Sequence, residues 1–96
     1  MVMTILEAQV APNQWAALER TYNEAIQKLD AGIVQTWLIH GLKESNLWRI
    51  LTVWESRDAL DTMRQSGETP RGVLIFRVAD AEPTLTVFDI AAQRAA

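Results

Sequence analysis

Four tryptophans, a lone histidine, a glutamate near the N-terminus and a serine ahead of a helix are the residues of this chain that could carry chemistry. Trp15, Trp37, Trp48 and Trp54 are large enough that each must fill a core or line a pocket. His40 could act as a general base, or stand solvated beside Gly41 at a hairpin end. Glu7, if desolvated in a pocket, could accept a proton from a phenol; the competing reading is a carboxylate paired with an arginine or meeting water. Ser56 reads as a helix cap, because no histidine or acid is placed by sequence to activate it as a nucleophile. Arg71 and Arg77 read as solvated. With no cysteine and one histidine, thiol chemistry and disulfides are excluded and a metal site is not expected. Gly32, Gly41, Gly67 and Gly72 are scattered turn positions that form neither a phosphate loop nor a dinucleotide fingerprint.

The elements that must position these groups follow from periodicity. Val2 to Val10 alternates with period two and predicts a strand whose Leu6, Ala8 and Val10 row suits helix packing. Pro12 suits a helix start. Trp15, Leu18, Tyr22, Ala25, Ile26 and Leu29 then recur on one stripe, and Gly32 is placed to end the helix. Ile33 to Ile39 and Leu47 to Trp54 are β-branched and aromatic, with a polar loop from Gly41 to Asn46, which predicts an antiparallel hairpin. Ser56 caps a second helix with Ala59, Leu60 and Met63 on its apolar side, and Gly67 ends it. Thr84 to Ile90 is the last strand. Val73 to Ala79 reads as strand or helix on composition alone.

The order β-α-β-β-α-(α)-β is that of an α+β, ferredoxin-like split βαβ layout, with an antiparallel sheet and helices on one face. Residues 1–96 are read as one domain, since that length suits one core and 49% of the residues are hydrophobic. The net charge of −3, without a cluster of Lys and Arg, argues against nucleic acid or an anionic membrane as partner. No signal peptide and no membrane helix is read from the sequence, so a cytoplasmic protein is the expectation.

Both rows of the Leu47–Trp54 segment are largely apolar: Leu47, Leu51 and Val53 on one, Trp48, Ile50 and Trp54 on the other. Helices cover one face only, so a homodimer with sheets packed face to face is expected. If Trp37 lies opposite Ile50, one face collects Glu7, Gln35, Trp37, Trp48, Ile50, Thr52 and Trp54, the composition of a small-molecule pocket. In that arrangement Val53 faces the helices and Trp48→Glu weakens the dimer.

Gly32 opening a strand, the hairpin, and Ile50-Leu51-Thr52-Val53-Trp54-Glu55-Ser56 leading into Ala59-Leu60 resemble the antibiotic-biosynthesis-monooxygenase family. The resemblance runs from Val2 to about Ile90 and favours the helical reading of Val73 to Ala79. It implies a dimeric α+β barrel with the pocket between sheet and helices or inside the barrel. Some members of that family oxidise polycyclic aromatic molecules without metal or flavin, and others degrade haem. Trp54 takes the place of a pocket-lining tryptophan in both groups. The haem-degrading branch also has a first-strand asparagine and a later-helix histidine. Here the first-strand candidate is Glu7 and no histidine follows residue 40, so haem degradation is not expected. Two functions are carried forward. One is a cofactor-independent monooxygenase acting on a small or polycyclic aromatic substrate, with Trp54 and Glu7 as catalytic candidates and Gln35, Trp37, Trp48, Ile50, Thr52 and Trp54 as substrate contacts. The other is a non-catalytic dimer of the same fold that binds a small apolar or aromatic molecule.

Overall fold

The computed structural model describes residues 1–96. Strand β1 (Val2–Gln9) leads through a short 3-10 turn (Pro12–Gln14) into helix α1 (Trp15–Ala25). The hairpin β2 (Ile33–His40) and β3 (Leu47–Trp54) follows, then α2 (Arg57–Gln65), α3 (Arg71–Val78) and β4 (Thr84–Asp89). The sheet order is β2-β3-β1-β4, with every pairing antiparallel. This is the expected α+β, ferredoxin-like layout, and the segment with the ambiguous composition is helical.

Residues opposed across antiparallel strands share a face, so the register sorts the side chains. On the helix-covered face the rows read Leu38, Ile50, Leu6, Leu85 and then Thr36, Thr52, Thr4, Val87. Toward one end lie Ile33, Trp54 and Val2; toward the other, His40, Trp48 and Ala8. The opposite face carries Trp37, Leu51, Ile5 and Thr86 in one row and Gln35, Val53, Met3 and Phe88 in the next.

The expected pairing of Trp37 with Ile50 is therefore corrected. Trp37 lies opposite Leu51, and Leu38 opposite Ile50. A slip of one residue moves a whole strand row to the other face. The loop sets this register: Gly41 N donates to Leu47 O at 2.8 Å and Leu47 N to Glu44 O at 3.0 Å, which brings His40 opposite Trp48. An irregularity between Ile33 and Gln35 then returns Ile33 to the side of Trp54. Together with the β1–β3 pairing, which sets Trp48 beside Ala8 and Ile50 beside Leu6, this turns Trp48, Ile50, Thr52 and Trp54 toward the helices and leaves Glu7, Gln35 and Trp37 on the other face. Val53 also points away from the helices, contrary to expectation. The row of Leu6 and Ala8 packs toward them as predicted.

Two apolar clusters form beneath the helices. The larger joins Leu6, Ala8, Val10, Trp48 and Ile50 to Leu18 and Tyr22 of α1 and Ile75 and Phe76 of α3. The smaller holds Val2, Trp54 and Leu60. The threonine row runs between them, because hydroxyls break the apolar continuity of the sheet floor.

Helix α1 ends at Ala25, earlier than the position of Gly32 suggests. Gly32 serves instead as the entry to β2. Its φ is +89°, its carbonyl accepts from Glu55 N at 2.8 Å, and a Cβ there would stand 2.7 Å from the Ala59 Cβ. Ser56 is the cap of α2, its Oγ accepting from Ala59 N at 3.0 Å, and Asp58 lies in the first turn. Ser56→Ala is expected to cost about 1 kcal/mol, an N-cap's usual contribution. Thermal melting should show that as a fall of roughly 4–8 °C; an unchanged melting temperature would mean that the cap bond contributes nothing net.

Candidate functional site

A cavity of about 130 Å³ lies between the helix-facing side of the sheet and the three helices. An apolar cavity of about 150 Å³ is enough to hold a benzene ring. That is space for a small ring system. The walls are mostly apolar: Leu6 and Ile50 on the floor, Ile26 and Leu29 following α1, Leu60 and Met63 from α2, and Val73 and Ile75 from α3. Their origin is the stripe-and-row pattern of the sequence, since each helix turns its apolar side to the sheet.

Few polar groups reach this space, and most of them are hydrogen-bonded within the protein. Thr36, Thr52 and Thr4 stand side by side on β2, β3 and β1. Tyr22 Oη of α1 donates to Thr36 Oγ1 at 3.2 Å, and Thr36 Oγ1 lies 3.5 Å from Thr52 Oγ1. At the other end Trp54 Nε1 donates to Thr4 Oγ1 at 3.2 Å. Trp54 is 4% exposed, and with its N–H engaged it offers a ligand its ring rather than a donor. Charged groups line the cavity at Asp30, Arg64 and Arg71. Arg71 is not simply solvated: it pairs with Asp30 at 3.3 Å and donates to the carbonyls of Ala25 (3.0 Å) and Lys28, tying the end of α1 to the start of α3. Arg64 has no ion-pair partner and extends from the exposed side of α2.

Of the residues singled out from the sequence, Trp54, Ile50 and Thr52 line the cavity together. Trp48 faces the same side but sits beyond it, 3% exposed in the larger cluster, with its indole N–H buried and unpartnered. The His40 ring stacks on Trp48 at 3.8 Å and meets Trp15 edge-on at 4.6 Å, away from the cavity. Glu7, Gln35 and Trp37 are on the far face of the sheet. There Glu7 accepts from Arg49 Nε at 2.6 Å, so it is an ion-paired carboxylate and does not reach the cavity. No group of three or more His, Cys, Asp and Glu side chains converges on a point.

Thr4, Thr36 and Tyr22 escaped the sequence reading as site residues. The signal for the first two was present: each is a hydroxyl inside an otherwise apolar strand row. Tyr22 looked like one more member of the α1 stripe, and only its contact with Thr36 distinguishes it.

The chain resembles a Deinococcus radiodurans protein provisionally assigned to the antibiotic biosynthesis monooxygenases, with a TM-score of 0.75, 13% identity, and coverage of 100% of this chain and 98% of that one. It resembles SnoaB, a cofactor-independent oxygenase from Streptomyces nogalater, with a TM-score of 0.71, 16% identity, and coverage of 96% and 94%. A MhuD mutant with two manganese protoporphyrin IX molecules bound per active site gives a TM-score of 0.75 at 16% identity, covering 100% of both chains. At these identities the likeness is one of fold. No curated protein sequence matches the chain. The sequence profile for "antibiotic biosynthesis monooxygenase" matches residues 1–72, three quarters of the length and the part that holds β1 to β3, Trp54 and the threonine row. The chain belongs to the antibiotic biosynthesis monooxygenase family.

Proposed function

We propose that this protein is a cofactor-independent monooxygenase acting on a small or polycyclic aromatic substrate held between the sheet and the helices. The observation that carries the reading is the cavity itself, apolar on nearly every side, with Trp54 in its wall and a few hydroxyls on its floor. An electron-rich hydroxylated aromatic, once deprotonated, supplies electrons to dioxygen itself. The protein then has to exclude water and hold the ring in one orientation. SnoaB, of the same fold, is described as a cofactor-independent oxygenase, which supports this reading.

One observation favours the second reading, a non-catalytic dimer binding a small apolar ligand. No free carboxylate or imidazole lines the cavity: Asp30 is engaged by Arg71, and both Glu7 and His40 lie elsewhere. Under the first reading the substrate must therefore ionise without a carboxylate base, which restricts it to acidic phenols and similarly activated rings.

A homodimer completes the proposal. The face away from the helices presents Trp37, Ile39, Leu51, Met3, Ile5 and Phe88, with one ion pair, Glu7–Arg49, at its margin. Trp37 is 38% exposed and Phe88 50% exposed, and an apolar sheet face of this extent calls for a second sheet.

Oxygen consumption with hydroxylated naphthalenes and anthracenes, after a mass-spectrometric search for a co-purifying ligand, separates the two readings. Uptake of dioxygen with product formation is expected. Tight binding with no turnover would leave the binding protein standing. Trp54→Phe should retain the fold, losing about 1 kcal/mol with the bond to Thr4, while weakening binding of aromatic ligands. Equal ligand affinity in the variant would remove Trp54 from the site.

A further inference from the structure

We infer that Thr4 and Thr52 together form a two-hydroxyl seat for an oxygen acceptor on the ligand, a ring ketone or ring oxyanion. The inference rests on the cavity being the ligand site and adds to it which atoms orient the ring.

The argument is a count of hydrogens. Thr4 is 8% exposed, lines the cavity, and accepts from Trp54 Nε1, yet its own O–H finds no acceptor in the protein. Tyr22 gives its hydrogen to Thr36, so Thr36 and Thr52 share one contact while holding two hydrogens. One of those hydrogens is spare. The Thr36–Thr52 contact is long, 3.5 Å, so the Thr52 hydroxyl is weakly held and free to turn toward the cavity. Thr4 and Thr52 are directly opposed on neighbouring strands. Their Cβ atoms are then about 4.5–5.5 Å apart, and a single oxygen can lie within reach of both hydroxyls.

The surroundings decide what that oxygen belongs to. Apart from Asp30, Arg64 and Arg71, the charged residues of the protein lie outside this cavity, and the floor beside the two threonines is Leu6, Ile50 and Trp54. An apolar ring fits there. A purely hydrocarbon ligand would bury both O–H groups without partners, and a ligand donor would leave them equally unsatisfied. A ring-borne carbonyl or oxyanion satisfies both at once, and it fixes the ring against the Trp54 indole. Thr4 and Thr52 are thus specificity residues; Trp54 Nε1 holds the Thr4 oxygen, and the Tyr22–Thr36 pair stands beside Thr52.

Calorimetric titration with 1-tetralone and with tetralin tests this, because the two differ by one carbonyl. The quantity read is the ratio of the two dissociation constants, which cancels general damage to the cavity. Thr52→Val should shift that ratio against 1-tetralone by about five- to tenfold, the worth of one hydrogen bond. Thr4→Val should do the same, and Thr4→Ser, which keeps the hydroxyl and the acceptor for Trp54, should restore it. A ratio unchanged by all three substitutions, with tetralin still bound, overturns the seat and leaves the cavity as the ligand site. Failure of the unaltered protein to bind either probe overturns the cavity reading and this inference with it.

Discussion

Trp48→Glu is expected to unfold the chain, and Trp37→Glu to leave it folded while splitting the proposed homodimer. Trp48 is buried in the larger cluster beneath the helices, stacked on His40 and edge-on to Trp15 at 6.0 Å. Replacing it removes a buried tryptophan, at about 3–5 kcal/mol for the side chain alone. It also places a carboxylate in the apolar cluster beneath the helices, which contains no lysine or arginine, a further cost of several kcal/mol. A domain of this size is stabilised by only about 5–14 kcal/mol, so loss of the circular-dichroism signal of the folded state at room temperature is the expected outcome. Trp37, two-fifths exposed on the opposite face, contributes little to the core of its own chain. Its replacement by glutamate should keep the melting temperature of the isolated chain within a few degrees and shift sedimentation from dimer to monomer. A folded Trp48→Glu protein would mean that β3 does not turn Trp48 toward the helices as described. A Trp37→Glu protein that sediments as the unaltered one would place the interface elsewhere or deny it.

Phe76→Ala should be nearly as damaging. Phe76 is fully enclosed, 0% exposed, where α3 packs on α1 and the sheet. Its truncation leaves a void bounded by Leu18, Ile75 and their neighbours, which a helix pinned by Arg71 to α1 cannot readily close. The expected loss is about 3–5 kcal/mol, read as a lower urea midpoint with an unchanged slope and as a fall in melting temperature of roughly 15 °C or more. Val78, on the same helix but 58% exposed, provides the control. Val78→Ala should stay within about 0.5 kcal/mol. If the two substitutions cost the same, α3 does not pack as described. The comparison is informative because Val73 to Ala79 is apolar in sequence apart from Arg77, and only packing separates the buried Ile75 and Phe76 from the exposed Leu74 and Val78.

The oligomer and ligand proposals are linked through the sheet. Its two faces differ in kind. The helix-covered face holds a cavity floored in part by the hydroxyls of Thr4, Thr36 and Thr52, and the other face is broadly apolar. A substitution such as Trp37→Glu therefore also asks whether ligand binding needs the dimer, since it leaves the Thr4, Thr52 and Trp54 side untouched.

What the amino-acid sequence determined by itself was everything carried by local periodicity and local chemistry. Alternation over Val2 to Val10, the stripe from Trp15 to Ile26, the polar loop Gly41–Asn46 and the Ser56 cap each express a preference of a few consecutive residues. The α+β order and the family resemblance around Trp54 followed from them. The facing of β1, with Leu6 and Ala8 toward the helices, was legible because one row was apolar and the other carried Glu7 and Gln9. In β3 both rows are largely apolar, so alternation alone could not say which meets the helices. That choice fell to the tertiary structure: pairing with β1 sets Trp48, Ile50 and Trp54 beside Ala8, Leu6 and Val2, and the hydrogen bonds of the Gly41–Leu47 loop with the irregularity at Val34 then sort β2. It turned Trp48 and Trp54 inward, sent Trp37, Gln35 and Glu7 to the far face, and gave Glu7 to Arg49. It also built the candidate site. Thr4, Thr36 and Thr52 are 48 positions apart at the extremes and neighbours only in the sheet, so their hydroxyl row exists nowhere in the sequence as a motif. Hydrogen bonds between side chains depend on register to within one residue, and register is settled by pairing over long chain separations, which local pattern does not encode.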